Sequence, residues 1–198
     1  MILVRARSGI DAVTRMKTVD LYTDGACRGN PGPGGYGAVL IYGKHRKELS
    51  AGFRWTTNNR MELTALIKAL LTLKEPCRLR IFSDSKYLLD SLRGEWILKW
   101  KKNGWRTASR QPVLNRDLWQ ELDRLLANHE PDYLWVKGHA LNAENNRCDI
   151  LAVAAANSKH LLIDEAYEEQ NPFSAVEPGS PARDADGGNS VWLPEFAG

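Results

Sequence analysis

Residues 23–37 read TDGACRGNPGPGGYG, and this stretch decides how the rest of the chain is interpreted. Asp24 follows residues 19–22 (VDLY), in which apolar and polar side chains alternate as in a half-buried strand. Six glycines and two prolines after the acid allow tight turns and a close approach to a partner. A carboxylate at a strand end, followed by exposed backbone N–H groups, suits a metal ion beside a phosphate or sugar. An ordinary turn has the same composition, so the stretch alone leaves both interpretations open.

The composition indicates one soluble domain. The chain has 198 residues, of which 43% are hydrophobic and 26% charged, and no apolar run approaches the ~18–20 residues that cross a bilayer. Residues 1–16 contain scattered arginines and no apolar core, which predicts an N-terminal extension, either a short arm or residues upstream of a natural start at Met16. Cys27, Cys77 and Cys148 are widely spaced, which argues against a zinc site or disulfides and for a reducing, cytoplasmic location. We expect a monomer with no membrane contact.

Charge divides the chain into two parts. Residues 160–198 contain eight acidic residues and one arginine, a balance of −7, which leaves +10 on residues 1–159. A basic body predicts a polyanionic partner, although a merely soluble surface would look similar. From residue 170 onward the chain is rich in Pro, Gly, Ala, Ser and acids without periodicity. We therefore expect a globular domain over residues 17–159 and a disordered acidic tail over 160–198, with no assigned role.

The order of predicted elements defines an α/β fold. After the first strand, two more strands are expected at 36–42 and 47–55, joined by a hairpin at 43–46. The later elements are predicted as a helix at 60–74, a strand at 78–83, short helices at 85–92 and 95–103, a helix at 117–129, a strand at 132–136 and a helix at 146–159. Three antiparallel strands followed by two strands reached through helices make a five-stranded mixed sheet.

Two of the predicted helices place a carboxylate on the face expected to be buried. Glu62 begins the apolar stripe of the helix at 60–74. In the last helix, the shared face consists of Asp149, Ala152, Val153 and Ala156. Burying an unpaired carboxylate costs several kcal/mol, so each acid needs a cation, a proton or access to solvent. The structural alternatives are a capping box between Glu62 and Asn59, and a salt bridge or helix-dipole contact for Asp149.

Together with Asp24 and Asp84, these acids predict a metal site. Asp84 follows the fourth strand, where it could also act only as a helix N-cap. If the first and fourth strands are parallel neighbours, Asp24 and Asp84 share the sheet edge at which open α/β sheets bind ligands. Oxygen ligands without Cys or His suit Mg²⁺ or Mn²⁺. His139, in a polar loop ten residues before Asp149, could move protons.

A basic, aromatic segment spans residues 86–116. It contains eight basic residues against two acids, with Trp96 and Trp100 four residues apart in its middle. Tryptophans in an amphipathic helix are usually core, and lysines are usually a solvated face. The short length and strong positive charge here favour phosphate contacts by Lys and Arg with aromatic faces against sugar or base.

The motifs TDGACRGNPGPGGYGA, TTNNRMEL, SDSKY, NGWRTA, VKGHA and NRCDILA resemble the successive motifs of bacterial type 1 ribonuclease H, over about residues 19–157. The resemblance implies a ribonuclease H-like fold with helices on both faces of the sheet. It implies an endonuclease that cuts the RNA strand of RNA–DNA hybrids and leaves 5′-phosphate and 3′-hydroxyl ends. Two Mg²⁺ ions per active site, with Mn²⁺ as an alternative, are the implied cofactors.

The resemblance also assigns roles to residues. The metal-binding, catalytic acids are Asp24, Glu62, Asp84 and Asp149, with His139 as a mobile-loop histidine. The turn at Cys27, Arg28, Gly29 and Asn30 matches the part that contacts RNA 2′-hydroxyls, which distinguish RNA from DNA. The remaining implied nucleic-acid contacts, a DNA-phosphate pocket and a basic protrusion, are Thr57, Asn58, Asn59, Lys86, Trp96, Lys99, Trp100, Lys101 and Lys102.

Three positions depart from the pattern of that family. Ala26 stands where serine is frequent, Lys86 where glutamine is frequent, and Ile150 where an acid is common. None is one of the four carboxylates. Two other functions remain open at this point: a hybrid-binding module without cleavage, and another nuclease of the same fold. The intact acids disfavour the first, and the Trp/Lys segment with the CRGN turn disfavours the second.

Overall fold

The computed structural model describes residues 16–138 and 142–173. The strands within these ranges are β1 Lys17–Cys27, β2 Gly32–Tyr42, β3 His45–Thr56, β4 Cys77–Ser83 and β5 Glu130–Trp135. The helices are α1 Asn58–Leu70, α2 Lys86–Arg93, α3 Trp96–Lys102, α4 Arg116–Leu126, α5 Ala143–Ala156 and α6 Glu165–Gln170. No helix in these ranges is long and apolar enough to cross a membrane.

The five strands form one mixed sheet in the order β3-β2-β1-β4-β5. β1, β2 and β3 are an antiparallel meander, whereas β4 is parallel to β1 and β5 is parallel to β4. The two parallel strands are each reached through helices, as right-handed crossover connections require. The predicted five-stranded mixed sheet is confirmed.

Helices cover both faces of this sheet. Two consecutive glycines in β2 show this, because one faces α1 and the next faces α5. A Cβ atom at Gly34 would lie 3.1 Å from the Met61 side chain of α1. A Cβ atom at Gly35 would lie 2.6 Å from the Ala156 backbone nitrogen of α5. Because successive strand residues point to opposite faces, α1 and α5 pack on opposite sides.

The main core lies between the sheet, α1 and α4. Leu21 and Ile81 from neighbouring strands, Leu66 from α1 and Trp119 from α4 are all fully buried in it. The indole N–H of Trp119 donates to the Tyr87 hydroxyl at 3.0 Å, so this large aromatic residue is buried with its polar group satisfied. This core holds β1, β4 and α1 in fixed relation, and these elements position three of the four predicted acids, Asp24, Asp84 and Glu62.

The prediction that the first strand ends at Asp24 was wrong. β1 continues to Cys27 and β2 already begins at Gly32, with Asp24 paired to Gly37 and Cys27 to Gly34. Only residues 28–31 form the connecting turn. Most glycines of the opening stretch therefore lie within strands, where their missing side chains admit α1 and α5.

The described part of the predicted tail differs from the expectation of disorder. Residues 160–173, placed by the sequence in an acidic tail, continue onto the edge strand β3: Leu162 N donates to Gly52 O at 2.8 Å, and Arg54 N donates to Leu162 O at 2.9 Å. Asp164 is buried, and α6 follows it. These acids have specific partners on the basic body, and the acidic composition alone gives no sign of them. The remainder of the predicted tail, like residues 1–15, lies outside the described residues, and the domain boundaries stay a prediction.

Candidate active site

Asp24 lies inside β1, close to its carboxyl end, and is only 9% exposed. Its Oδ1 atom accepts a hydrogen bond from the Gly25 N–H at 2.8 Å. Burial first, and then the negative charge of Asp84, raise the pKa of Asp24 to about 8; Glu62 and Asp149 add smaller repulsions. Asp24 is therefore close enough to the other three predicted acids to be repelled by each of them.

Glu62 lies in the second turn of α1 and is also 9% exposed. Its Oε1 accepts from the Asn58 side-chain amide at 2.9 Å, and its Oε2 accepts from the Ser85 hydroxyl. Burial raises the pKa of Glu62 to about 7, and the charge of Asp84 adds to the effect. The capping-box alternative fails in its details, because the N-cap of α1 is Thr57 and the partner of Glu62 is Asn58 rather than Asn59.

Asp84 follows β4 directly, and the parallel pairing of Tyr22 with Phe82 brings it to the edge of the sheet where Asp24 lies. The helix N-cap is the next residue, Ser85, whose hydroxyl accepts from Leu88 N at 3.1 Å. The alternative role for Asp84 as the N-cap is thus wrong. A Cβ atom at Gly138 would come too close to the Asp84 carboxylate, so a larger residue at this position would push that side chain aside.

Asp149 lies in α5 and is half-buried. The face of α5 that packs on the sheet consists of Asn145, Cys148, Ala152, Ala155 and Ala156. Val153, predicted to share the buried face, is 45% exposed. That prediction was wrong because α5 is rotated about its axis relative to the prediction. Cys148 packs against Gly37 of β2 and lies at the centre of the contact between α5 and the sheet. Asp149 consequently lies at the border of the contact, on the side from which its charge reaches Asp24.

The donor set fits a hard divalent cation. All four candidate ligands are carboxylates, and burial and mutual repulsion destabilise the charged forms of Asp24 and Glu62. A divalent cation would relieve both costs. Within residues 16–138 and 142–173, no three Asp, Glu, His or Cys side chains already meet around one ion position. His139 lies outside the described residues.

The predicted RNA-contacting turn is joined to the start of α1. Gly29 has a φ of +83°, a conformation that favours glycine, and Arg28 N donates across the turn to Pro33 O at 2.7 Å. The side chain of Asn30 accepts from the Asn58 backbone N–H at 3.1 Å. Cys27, half-buried, donates from Sγ to Gly32 O. The turn and the first residues of α1 thus form one continuous polar surface.

The basic segment divides into a packed aromatic part and an exposed basic part. Trp100 packs against the core, with its ring 5.5 Å from that of Trp119, and remains partly exposed. Lys99 lies over the ring of Trp96 at 5.1 Å. Lys101 pairs with Asp123 at 2.8 Å. The other predicted lysines of this segment, Lys86 and Lys102, are exposed.

The sequence missed three supports of this site. Ser85 binds Glu62, Gly138 makes room for Asp84, and Arg60 is a buried guanidinium between Asp117 and Asp164. All three lie in motifs quoted above (SDSKY, VKGHA and TTNNRMEL), but only Ser85 has a local signal for its role, as a possible helix cap before α2. The partners of Arg60 are 57 and 104 residues away in the chain, beyond the reach of any local pattern.

A mixed sheet of order β3-β2-β1-β4-β5 with acids on β1, α1, α5 and after β4 defines a ribonuclease H fold with an acidic active site. Residues 16–157 match the sequence model of the RNase H family. The ribonuclease H of Aeromonas hydrophila is 60% identical over 153 residues, 77% of this chain and 99% of that relative. The ribonuclease H of Shewanella amazonensis is 57% identical over 156 residues, 79% of this chain and 99% of that relative.

Solved structures agree with these relatives. LC9-RNase H1, a type 1 RNase H with the type 2 active-site motif, is 31% identical with a TM-score of 0.66, covering 80% of this chain and 82% of its own. LC11-RNase H1, solved in complex with RNA/DNA hybrid, is 26% identical with a TM-score of 0.53, covering 70% and 96%. The chain belongs to the RNase H family, as a bacterial type 1 ribonuclease H.

Proposed function

We propose that this chain is an endonuclease that hydrolyses the RNA strand of RNA–DNA hybrids and leaves 5′-phosphate and 3′-hydroxyl ends. The observation that carries the proposal is the pair of buried carboxylates, Asp24 and Glu62, whose pKa values rise to about 8 and about 7 beside Asp84. Buried acids in a charge-repelling cluster at a sheet edge are typical of a site that binds cations for catalysis.

Asp24, Glu62, Asp84 and Asp149 are the proposed ligands of two Mg²⁺ ions, with Mn²⁺ as an alternative. When bound, such ions supply Lewis-acid stabilisation of the phosphoryl oxygens and a more acidic water for in-line attack. Asp24, which each of the other three acids repels, would be the ligand common to the ions when they are bound. The Ser85 hydroxyl and the Asn58 amide hold Glu62 in orientation. His139 is proposed to move a proton near the leaving 3′-oxygen.

The proposed hybrid-binding surface has an RNA side and a DNA side. On the RNA side, the backbone and side chains of Cys27, Gly29 and Asn30 contact 2′-hydroxyl groups in the minor groove. On the DNA side, Thr57, Asn58 and Asn59 at the start of α1 hold a phosphate. The basic protrusion extends this grip through Lys86, Trp96, Lys99, Trp100, Lys101 and Lys102. The likeness to LC11-RNase H1, solved with such a hybrid, supports this arrangement.

Cleavage assays on three substrates test the proposal. Purified full-length chain with Mg²⁺ is expected to cut an RNA–DNA hybrid and to leave duplex DNA and duplex RNA intact. Labelled ends of the products are expected to carry 5′-phosphate and 3′-hydroxyl groups. Cleavage of duplex DNA would favour another nuclease of the same fold, and binding without cleavage would favour a hybrid-binding module. Repeating the assay with Mn²⁺ decides the metal preference, and sedimentation tests the expected monomer.

A further inference from the structure

The C-terminal segment, residues 161–173, follows residues 16–157, which match the sequence model of the RNase H family, and binds the junction between β3 and α1. The Leu162 backbone pairs with β3 at Gly52 and Arg54, through bonds of 2.8 and 2.9 Å. The Glu168 carboxylate accepts from the Arg54 guanidinium at 2.8 Å. The segment is thus attached to the last residues of β3 by both its backbone and its side chains.

The centre of this attachment is the buried carboxylate of Asp164. It accepts from Arg60 Nε and from the Thr56 hydroxyl, each at 2.7 Å. Arg60 is 3% exposed and Asp164 is 9% exposed. The guanidinium of Arg60 also donates to both carboxylate oxygens of Asp117, at 3.0 and 2.7 Å, and lies 5.5 Å from the centre of the Tyr167 ring. A guanidinium bonded on so many sides has one orientation.

Arg60 lies in the first turn of α1, among the residues proposed to act in the reaction. Thr57 caps the helix by accepting from Arg60 N at 3.4 Å. The Asn58 backbone N–H donates to Asn30, and the Asn58 side chain donates to Glu62. A rotation of this turn would therefore move the proposed phosphate contacts, the RNA-contacting turn and the carboxylate of Glu62 together.

We propose that Asp164 is a positioning residue for the active site. Through Arg60 and Thr56 it sets the orientation of the first turn of α1, which makes residues 161–173 a working part of the catalytic domain. The expected change in KM for the hybrid presupposes cleavage, so in this respect the inference rests on the proposed function. The competing explanation is that the buried ion pair adds only global stability.

Replacing Asp164 with asparagine in the full-length chain tests the inference, because Asp164→Asn keeps the side-chain shape and removes the charge. We expect the variant, assayed well below its melting temperature, to raise KM for hybrid by roughly three- to tenfold, with a smaller fall in kcat. In the substrate-free protein, the amides of residues 58–62 should exchange with solvent at least several times faster, relative to the β4 amides.

Two variants serve as controls. Val19→Ala, at the start of β1, removes part of a side chain that is 5% exposed and lowers stability at a distance from α1. Glu168→Gln weakens the more exposed pair with Arg54 in the same segment. Both should keep the KM and the exchange rates of residues 58–62 near those of the parent chain.

The inference is overturned if Asp164→Asn resembles Val19→Ala, with a lower melting temperature but unchanged KM and unchanged local exchange. The exchange measurement requires no substrate. A parent chain that fails to cleave the hybrid would therefore refute the proposed function, while the exchange rates would still decide whether Asp164 orients α1.

Discussion

Asp24 and Glu62 are buried carboxylates in a cluster of acids, and this arrangement costs folding free energy when no cation is bound. Burial and the charge of Asp84 raise both pKa values, to about 8 and about 7. Such costs are retained where the charge has a use, since a neutral side chain of similar shape would fold more easily. At the scale of single residues, the proposed metal affinity is therefore gained at the cost of stability.

The substitution Asp24→Asn should separate these two properties. We expect loss of cleavage by at least about 10³-fold, because the proposed shared ligand is gone, with hybrid binding retained. Without metal at pH 8.5, the variant should be more stable than the parent by roughly 1–3 kcal/mol, because the repulsion disappears. Cleavage assays, binding assays and thermal melts measure the three effects. Retained cleavage would remove Asp24 from the catalytic set.

Without metal, stability should fall as the pH rises from about 4 to about 8. The pKa of Asp24 rises from 3.8 in the unfolded chain to about 8 in the folded chain, and that of Glu62 rises from 4.5 to about 7. The folded protein therefore holds more protons between these values. The associated stability is fully present below about pH 4 and is lost progressively, until the pH passes about 7 for Glu62 and about 8 for Asp24. Melts in a chelator across this range test the sign. Excess Mg²⁺, and Asp24→Asn, should each flatten the profile.

At the scale of elements, the contact between β2 and α5 fixes the position of Asp149. A Cβ atom at Gly37 would collide with the carbonyl oxygen of Cys148, the residue before Asp149. Because the Cys148 carbonyl belongs to the backbone, α5 as a whole must move to accommodate a residue larger than glycine at position 37. Because of this close packing, the size of residue 37 in β2 affects the position of Asp149 on α5.

The substitution Gly37→Ala should therefore lower both stability and activity. We expect a loss of about 1–3 kcal/mol in the free energy of unfolding, as is usual for overpacking. Cleavage should fall further than stability explains, because Asp149 moves away from Asp24. Gly43→Ala is the matched control, since a Cβ atom at Gly43 meets nothing within 4 Å, although its φ of +56° adds some strain. Equal activity in both variants would contradict the expectation.

Helix α3 presents the exposed part of the basic segment. Lys99 and Lys102 are exposed, whereas Lys101 is paired with Asp123. The double substitution of Lys99 and Lys102 by alanine should weaken hybrid binding and reduce the slope of log K against log salt by roughly one to two. Binding titrations at several salt concentrations measure the slope. Lys44→Ala, on the β2–β3 hairpin turn, is the control, and an unchanged slope in the double variant would exclude α3 from the interface.

At the scale of the whole molecule, the C-terminal segment closes the domain. Arg60 and Asp164 are buried partners 104 residues apart, and they join α1 to a segment that follows residues 16–157, the part matched by the sequence model of the family. Deleting one partner of a buried ion pair leaves the other charge without compensation. The stability of this chain therefore depends on residues 160–173 as well as on its core.

Deleting residues 160–198 should lower the free energy of unfolding by about 2–4 kcal/mol, because Arg60 loses Asp164 and β3 loses its backbone partner. A chain that ends at Phe173 keeps every described contact and is the matched control. Thermal and denaturant melts of both chains measure the difference. Similar melting temperatures for the two chains would mean that the segment contributes little to stability.

The architecture and the identity of the acids could be predicted from the sequence alone. Alternation and helical periodicity depend on neighbouring residues, so the five strands, and the helices within residues 60–159, were predictable to within a few positions. The acids could be recognised because a carboxylate such as that of Glu62 is unexpected within the apolar stripe on the buried face of a helix.

Only the tertiary structure decided which partners those residues meet. The length of β1 depends on pairing with β2, the rotation of α5 depends on contact at Gly37, and the role of Asp164 depends on Arg60. An acidic segment without periodicity gives no local sign of a buried partner far away in the chain. Hydrogen bonds and ion pairs between distant residues form only when the fold brings them together, and so they lie beyond what one sequence displays.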